Sequence, residues 1–515
     1  TFATLFDACT SKELLTGCKD VHRDIIGGKV ELDPYVGTAL INMYGRFECL
    51  EDAKTMFEKM PIHDEIMWNA MITASAHNGE GKIALKMFRD MQEQGMIPNK
   101  VTFVSTCDAC AIDLSLSEGK QLHTRILVTR LEPDVVLATA FINMYGRCGC
   151  LDDAKLIFDL IPKKDVVSWT AIMTVYAHNG ETKKAFKLFD EMLVEGLEPD
   201  KVCCISILSA CVSKTGIDDG RLMHMRAVAC ALDSDIGVMN GLIVMYGKCG
   251  SMKDAIRIFE NICDNSRETY VSILSACSNQ VDLAEGRRIH ELIMKTGFDI
   301  EVSVGNALIN MYSKCGTLQE SGSVFEIMPD WDVVSWTIMI TSHAQHGHGE
   351  FALHLFDKMQ KEGLLPNKVT FVNILNAFSH AGMVDEGFQC FGYLNHGVSS
   401  MSPIEDHYNC IVDLLGRAGR LSEAEDLIKK MPLTPSVISW TSFLNACRQH
   451  LDVERGEYAA EILFRMEPTN PAPYLTMYNL YIAAGRLQDA AKVMCKLREN
   501  HLLKCEVLEC MTLTS

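Results

Sequence analysis

The sequence predicts an all-α fold, an α-solenoid of stacked helix-turn-helix repeats. Three observations carry that expectation: a motif returns with a long fixed period, one whole unit is skipped without loss of phase, and most units hold Ala and Phe four residues apart. Ile41-Asn42-Met43-Tyr44-Gly45-Arg46 recurs as Ile142-Asn143-Met144-Tyr145-Gly146-Arg147, and in part as Val244-Met245-Tyr246-Gly247-Lys248. Tyr44, Tyr145 and Tyr246 are 101 residues apart, as are His22, His123 and His224, and also Trp68 and Trp169. A period this long reads as a triplet of units of 35, 31 and 35 residues. The following step, from Tyr246 to Tyr312 and from His224 to His290, is only 66, so one 35-residue unit is missing between Ser266 and Arg267. A solenoid tolerates such a loss because each unit contacts only its neighbours.

Each unit reads as two helices. The second carries Ala53/Phe57, Ala84/Phe88, Ala154/Phe158, Ala185/Phe189, Ala255/Phe259 or Ala352/Phe356. That spacing puts a small residue and a ring on one helix face, one allowing close approach and the other filling space. Gly196-Leu197-Glu198-Pro199-Asp200 and Gly363-Leu364-Leu365-Pro366-Asn367 read as helix ends, with glycine in a left-handed conformation and proline blocking continuation. No strand alternation of comparable strength appears.

A chain of 515 residues exceeds one ordinary domain and is multidomain or a repeat array. Its 48% hydrophobic content excludes a disordered chain, and no stretch approaches the roughly 18 to 20 apolar residues of a membrane helix. The 21 cysteines and 28 methionines are expected to be buried free thiols and core filler in a reduced compartment. The net charge of −19 excludes a generic nucleic-acid binder, so any RNA contact is confined to a locally favourable groove. The pattern is already under way at Thr1, so a targeting segment is expected to lie outside the sequence.

Val166-Val167-Ser168-Trp169-Thr170-Ala171-Ile172-Met173, in a unit closing at Pro199-Asp200, resembles a pentatricopeptide repeat. Alternation of 35 and 31 residues is similar to the land-plant subclass with P, L and S repeats, over Thr1 to Lys504. Phasing gives L-type units at 1–33, 100–134, 201–235 and 267–301, and S-type units at 34–64, 135–165, 236–266 and 302–332. P-type units fall at 65–99, 166–200 and 333–367, followed by an L-like unit at 368–404 and an S-like unit at 405–436. Segments 437–470 and 471–504 look like the paired E motifs of organellar RNA editing factors, leaving 505–515 as a short tail. The resemblance implies a right-handed superhelix that recognises single-stranded RNA and directs C-to-U editing in a mitochondrion or chloroplast. It also implies a deaminase-bearing partner recruited through 437–504.

Such factors often continue into a zinc deaminase domain, which needs His-x-Glu and Cys-x-x-Cys. His348-Gly349-Glu350 matches the first half, but it stands where other P-type units carry Asn78-Gly79 and Asn179-Gly180, at an inter-helix turn. Cys107-Asp108-Ala109-Cys110 precedes it by hundreds of residues and reads as helix. The chain is therefore expected to hold no metal or cofactor and not to be an enzyme.

The resemblance further implies one base per unit, read by the unit's fifth and last residues. The pairs are Thr38/Asp64, Asn69/Asn99, Thr139/Asp165, Thr170/Asp200, Asn240/Ser266, Asn306/Asp332, Thr337/Asn367 and Asn409/Ser436. The family's code links Thr/Asp with G, Asn/Asp with U, Thr/Asn with A, Asn/Asn with C over U, and Asn/Ser with pyrimidine. The implied target is N-G-(C/U)-N-G-G-N-Y-N-U-A-N-Y, with the edited C a few nucleotides further 3′. Ala3, Val104, Ile205, Val271 and Val372 hold the fifth place in L-type units; aliphatic side chains cannot bond a base edge, and these units act as spacers. Ile66, Val136, Val167 and Val334, second in their units, would flank bases, whereas Gly237, Glu268 and Ser303 depart from that pattern.

Asn, Thr and Asp near helix starts are also common caps. Recurrence of eight pairs in phase, against aliphatics in L-type units, favours base reading. His22, His123, His224 and His290 are too far apart to share a metal and are expected to make polar or packing contacts between hairpins. The rival classes are an RNA stability or splicing factor and a protein-binding helical scaffold. No phosphate-binding glycine loop or nucleophile arrangement supports an enzyme.

Overall fold

The computed structural model describes residues 6, 15–26, 32–129, 134–211, 216–262, 265–298, 301–396 and 403–499. Among these residues there are 29 helices and no strand. The chain divides into two compact units, 1–263 and 264–515, beside the junction where the period skips a unit.

Caps set the helix boundaries. Thirteen-residue helices such as Glu65–His77 and Val166–His178 start directly after an Asp whose side chain accepts from a backbone N–H of the first turn. At the other end, Gly196 has φ of +78° after the helix Thr182–Val194. Its N–H donates to the Leu193 carbonyl at 3.0 Å and Leu197 N–H reaches the Met192 carbonyl at 3.2 Å, closing the last turn. Gly363 repeats this with φ of +79°.

In the first unit, the first helices of successive hairpins pack side by side. The row runs Pro34–Arg46, Glu65–His77, Lys100–Ile112, Val135–Arg147, Val166–His178, Lys201–Ala210 and Ile236–Cys249. The second unit is built the same way on Arg267–Gln280, Val302–Lys314, Val333–Gln345, Lys368–Ala381, Glu405–Arg417, Val437–Gln449 and Pro471–Ala483. Second helices form another layer, and every Ala/Phe pair named above is buried against the first. Where an S-type unit meets a P-type unit, the second-helix Phe contacts a Trp edge to face. Phe57–Trp68, Phe158–Trp169 and Phe325–Trp336 have ring centres 4.7, 4.8 and 4.9 Å apart. Such pairs add about 0.5–1.5 kcal/mol to simple area burial.

The four recurring histidines join hairpins, as expected. Nδ1 of His22, His123, His224 and His290 lies 2.7, 3.1, 3.0 and 2.8 Å from the hydroxyls of Tyr44, Tyr145, Tyr246 and Tyr312. Burial pushes each of these tyrosines up to about 12 and lowers His123 and His224, which favours the neutral form of those two imidazoles.

Sixteen described cysteines are free thiols, most of them buried or half-buried, and burial pushes Cys107 well above the ordinary thiol range. Two positions depart from the expectation. Cys495 is exposed, and Cys18, buried on the helix Leu15–Ile26, is disulfide-bonded. Composition describes the chain at large and does not reach one position. No described helix is long and apolar enough to cross a membrane.

Candidate functional site

The last residue of every candidate pair is a helix N-cap. Asp64, Asn99, Asp165 and Asp200 accept from the backbone N–H of Met67, Thr102, Ser168 and Cys203 at 2.8, 3.0, 2.8 and 2.8 Å. Ser266, Asp332, Asn367 and Ser436 accept from Thr269, Ser335, Thr370 and Ile438 at 3.3, 2.8, 2.9 and 3.2 Å. Asp33, Asp134 and Asp235, which close L-type units, cap in the same way. The cap therefore accounts for the residue type at the last place of the S- and P-type units and of three L-type ones, while Glu301 and Ile404, which close the other two described L-type units, make no side-chain cap; the fifth residue is what separates S- and P-type units from L-type ones. An Asp cap uses one carboxylate oxygen and leaves the second available, whereas Asn99 Nδ2 donates to Glu65 Oε1 and Ser266 and Ser436 have only their single hydroxyl.

The fifth residues sit one turn into their first helices, buried or half-buried. The structure joins two pairs directly: Asn69 Nδ2 donates to Asn99 Oδ1 at 3.4 Å, and Asn306 Nδ2 to Asp332 Oδ1 at 3.2 Å. Burial works against the Asp332 carboxylate, but bonds from Ser335 and Asn306 outweigh it and hold its pKa below the usual range. Thr337 and Asn367 are linked through Thr370, whose hydroxyl lies 2.8 Å from Thr337 Oγ1 and 3.0 Å from Asn367 Oδ1. Asn409 meets Ser439, not Ser436, at 2.6 Å. Among the described residues no hydrogen bond joins Thr38 to Asp64, Thr139 to Asp165 or Thr170 to Asp200; the Thr139 hydroxyl donates to the Val135 carbonyl at 2.7 Å. Asn240 Oδ1 and Asn306 Oδ1 are buried acceptors without a partner, which is costly unless something donates to them.

The second residues are exposed although apolar: Ile66 62%, Val136 54%, Val167 62% and Val334 50%. Val101, Val202 and Val369 of L-type units are exposed too, so the aliphatic row runs through units expected to be spacers. Their fifth residues Val104, Ile205, Val271 and Val372 are half-buried, and Ala3 lies outside the described residues. Glu268 and Ser303 are also exposed, and Gly237 is half-buried.

One cleft of about 380 Å³ gathers these features. It is lined by Thr337 and Asn367, by Val334 and Val369, and by Lys314. Lys314 belongs to a row that residue-by-residue reading left without a role. Arg46, Arg147, Lys248, Lys314 and Arg417 are exposed at or near the C-terminal end of the first helix in five S-type units. The signal was present, because the recurring motif ends in Arg or Lys. Cations there also complement the helix dipole.

His348 caps the helix Gly349–Lys361 as part of a turn, and Cys107 is buried within Lys100–Ile112. Among the described residues no group of three or more His, Cys, Asp or Glu is placed to hold a metal ion.

The description "PPR repeat family" matches residues 63–112, 164–213 and 331–380, and "PPR repeat" matches 38–63, 136–166, 238–266, 306–333, 369–394 and 406–433. "E motif" matches 450–505. A chloroplastic pentatricopeptide repeat-containing protein of Arabidopsis thaliana is 32% identical, over 99% of this chain and 67% of its own length. A mitochondrial one from the same plant is 33% identical over 98% and 83%. Among solved structures, the pentatricopeptide repeat protein PPR10 in complex with an 18-nucleotide psaJ RNA element superposes with a TM-score of 0.53. It shares 17% identity over 98% of this chain and 80% of that one, a likeness of fold. Repeat descriptions falling in phase along both units, an E motif after them, and relatives of this identity over nearly the whole length make the chain a member of the pentatricopeptide repeat family, fitting the E subgroup of its plant members.

Proposed function

We propose that this chain binds single-stranded RNA with sequence specificity and serves as the site-recognition factor for C-to-U editing of organellar transcripts. The observation that carries the reading is the cleft in which Thr337, Asn367, Val334, Val369 and Lys314 meet. Hydroxyl and amide groups match a Watson–Crick edge, exposed valines cover base faces, and a cation suits a phosphate. The fifth and last residues differ from unit to unit while their places in the unit recur, which is what reading a sequence base by base requires. The row of exposed cations supplies local attraction in a chain of net charge −19. PPR10, similar in fold, is solved with an RNA element, and relatives named chloroplastic and mitochondrial support an organelle.

Region 437–504 supports the editing half of the reading. It carries exposed Ile438, Leu451, Tyr458, Met466, Ile482 and Leu487, apolar surface suited to a deaminase-bearing partner. The test measures affinity for the thirteen-nucleotide target against a scrambled strand. Several contacts of about 1 kcal/mol each predict at least tenfold preference. Equal affinity refutes RNA reading and favours a protein-binding scaffold. Selective binding without conversion of the neighbouring C, when deaminase-bearing partners are supplied, refutes editing and leaves a stability or splicing role.

A further inference from the structure

The third residue of a first helix stands beside the fifth residue of the unit before it. Thr102 Oγ1 donates to Asn69 Oδ1 at 2.6 Å, and Ser439 Oγ donates to Asn409 Oδ1 at 2.6 Å. Thr102 and Ser439 are fully buried, so no water competes for these bonds. The Thr102 oxygen also accepts from the Asn99 N–H at 3.0 Å, and Asn69 Oδ1 is the nearest acceptor for its single proton. Asn306 differs. The corresponding Ser335 bonds to Asp332 within its own cap, and Asn306 Oδ1 is buried without a partner.

A primary amide has a donor end and an acceptor end, and its neighbours fix which way it faces. A hydroxyl donating to Asn69 Oδ1 takes one of its two lone pairs and holds that oxygen towards Thr102; with one Nδ2 proton given to Asn99, the other is left for a ligand. An Asn whose Oδ1 is free offers an acceptor instead. The two pyrimidines differ at this point: cytosine N3 accepts a hydrogen bond, and uracil N3–H donates one.

We propose that the third residue of the following unit is a positioning residue that sets the hydrogen-bond polarity of the fifth. Thr102 and Ser439 turn Asn69 and Asn409 into donors that favour cytosine, and the unoccupied oxygen of Asn306 favours uracil. The assignment deepens the RNA reading and rests on it. Recognition at each base then depends on three residues, the third contributed by the next hairpin.

The test uses the full chain with Thr102→Val, which keeps shape and removes the hydroxyl, and with Thr102→Ser, which keeps the hydroxyl. Ser439→Ala is the second variant; Ser439 takes no part in the Ser436 cap, so that helix start is preserved. Binding is measured with each of four nucleotides at the third, fifth and thirteenth positions of the target. Thr102→Val is expected to lower the cytosine-to-uracil ratio at the third position about fivefold, the worth of one hydrogen bond. Thr102→Ser keeps the ratio, and Ser439→Ala shifts the thirteenth position the same way. The fifth position, read by Thr139 and Asp165, stays unchanged. A wild-type cytosine preference that survives both hydroxyl deletions, with only overall affinity or stability reduced, overturns the proposal alone. A wild-type chain indifferent to all four nucleotides at every position overturns the RNA reading and this assignment with it.

Discussion

Asp165 separates capping from base reading within one side chain. Its carboxylate accepts from Ser168 N–H at 2.8 Å, and Ser168 Oγ accepts from Asp165 N–H at 3.0 Å, a reciprocal capping box. Asp165→Ala removes the cap and should cost about 1 kcal/mol of local stability. Asp165→Asn keeps an oxygen in the same place, and Asn caps about as well as Asp. Only the favourable charge at a helix N-terminus is lost, about 0.3–1 kcal/mol at an exposed site. By the family's code, Thr139 with Asn reads A where Thr139 with Asp reads G. Asp165→Asn should therefore move preference at the fifth target nucleotide from G to A by about fivefold, one base contact of about 1 kcal/mol, with a small change in melting. Binding against all four nucleotides at that position, paired with hydrogen exchange across Val166–His178, reads both effects on one protein. A retained G preference in Asp165→Asn, with slower exchange protection lost only in Asp165→Ala, would show that Asp165 is a cap and nothing more.

Thr139→Asn should turn the same position from G towards U by about fivefold while stability changes by less than about 0.5 kcal/mol, since the half-buried Thr139 bonds only its own helix; four-nucleotide binding and a melting curve check it. Lys314→Ala should weaken binding to matched and scrambled strands alike and reduce the slope of log affinity against log salt by about 1, read from a salt titration. Trp169→Ala removes a ring 2% exposed that packs on Phe158 and should cost about 3–5 kcal/mol in denaturant unfolding. His343 is lowered to about 4, chiefly by burial and then by His348 and His346. It binds a proton more readily unfolded than folded, so its contribution is complete above its ordinary value near 6.5 and is lost as pH falls towards 4. Melting should drop over that window, and His343→Gln should flatten the drop.

Helix starts were legible because the residues that begin each unit's phase also cap. Asp64, Asn99 and Asp332 mark boundaries chemically, so period and physics agree at the same positions. The histidine–tyrosine bonds were legible as a category, since four residues in step, one per L-type unit, imply a shared neighbour. Thr102 was harder to see. Its partner Asn69 stands 33 residues earlier on another hairpin, and a threonine at a helix's third residue already has an ordinary role in the capping box. The cation row was overlooked because net charge was read over the whole chain, and −19 hides five basic residues held in register. Cys18 shows the opposite failure, a sound average applied to a single residue.

The cap at the last place of each S- and P-type unit also constrains how such a chain can change. Every candidate reading residue there is Asp, Asn or Ser, the short oxygen-bearing side chains that start helices well. On the proposed reading, exchanges within that set would alter what faces a base while the helix behind it still begins at the same residue. Single substitutions would then, on the same reading, change the RNA target while each helix start keeps a capping residue. On that reading the alphabet is small because two tasks must be met by one side chain, and the same overlap would let recognition diversify on a scaffold whose helices start where they did before.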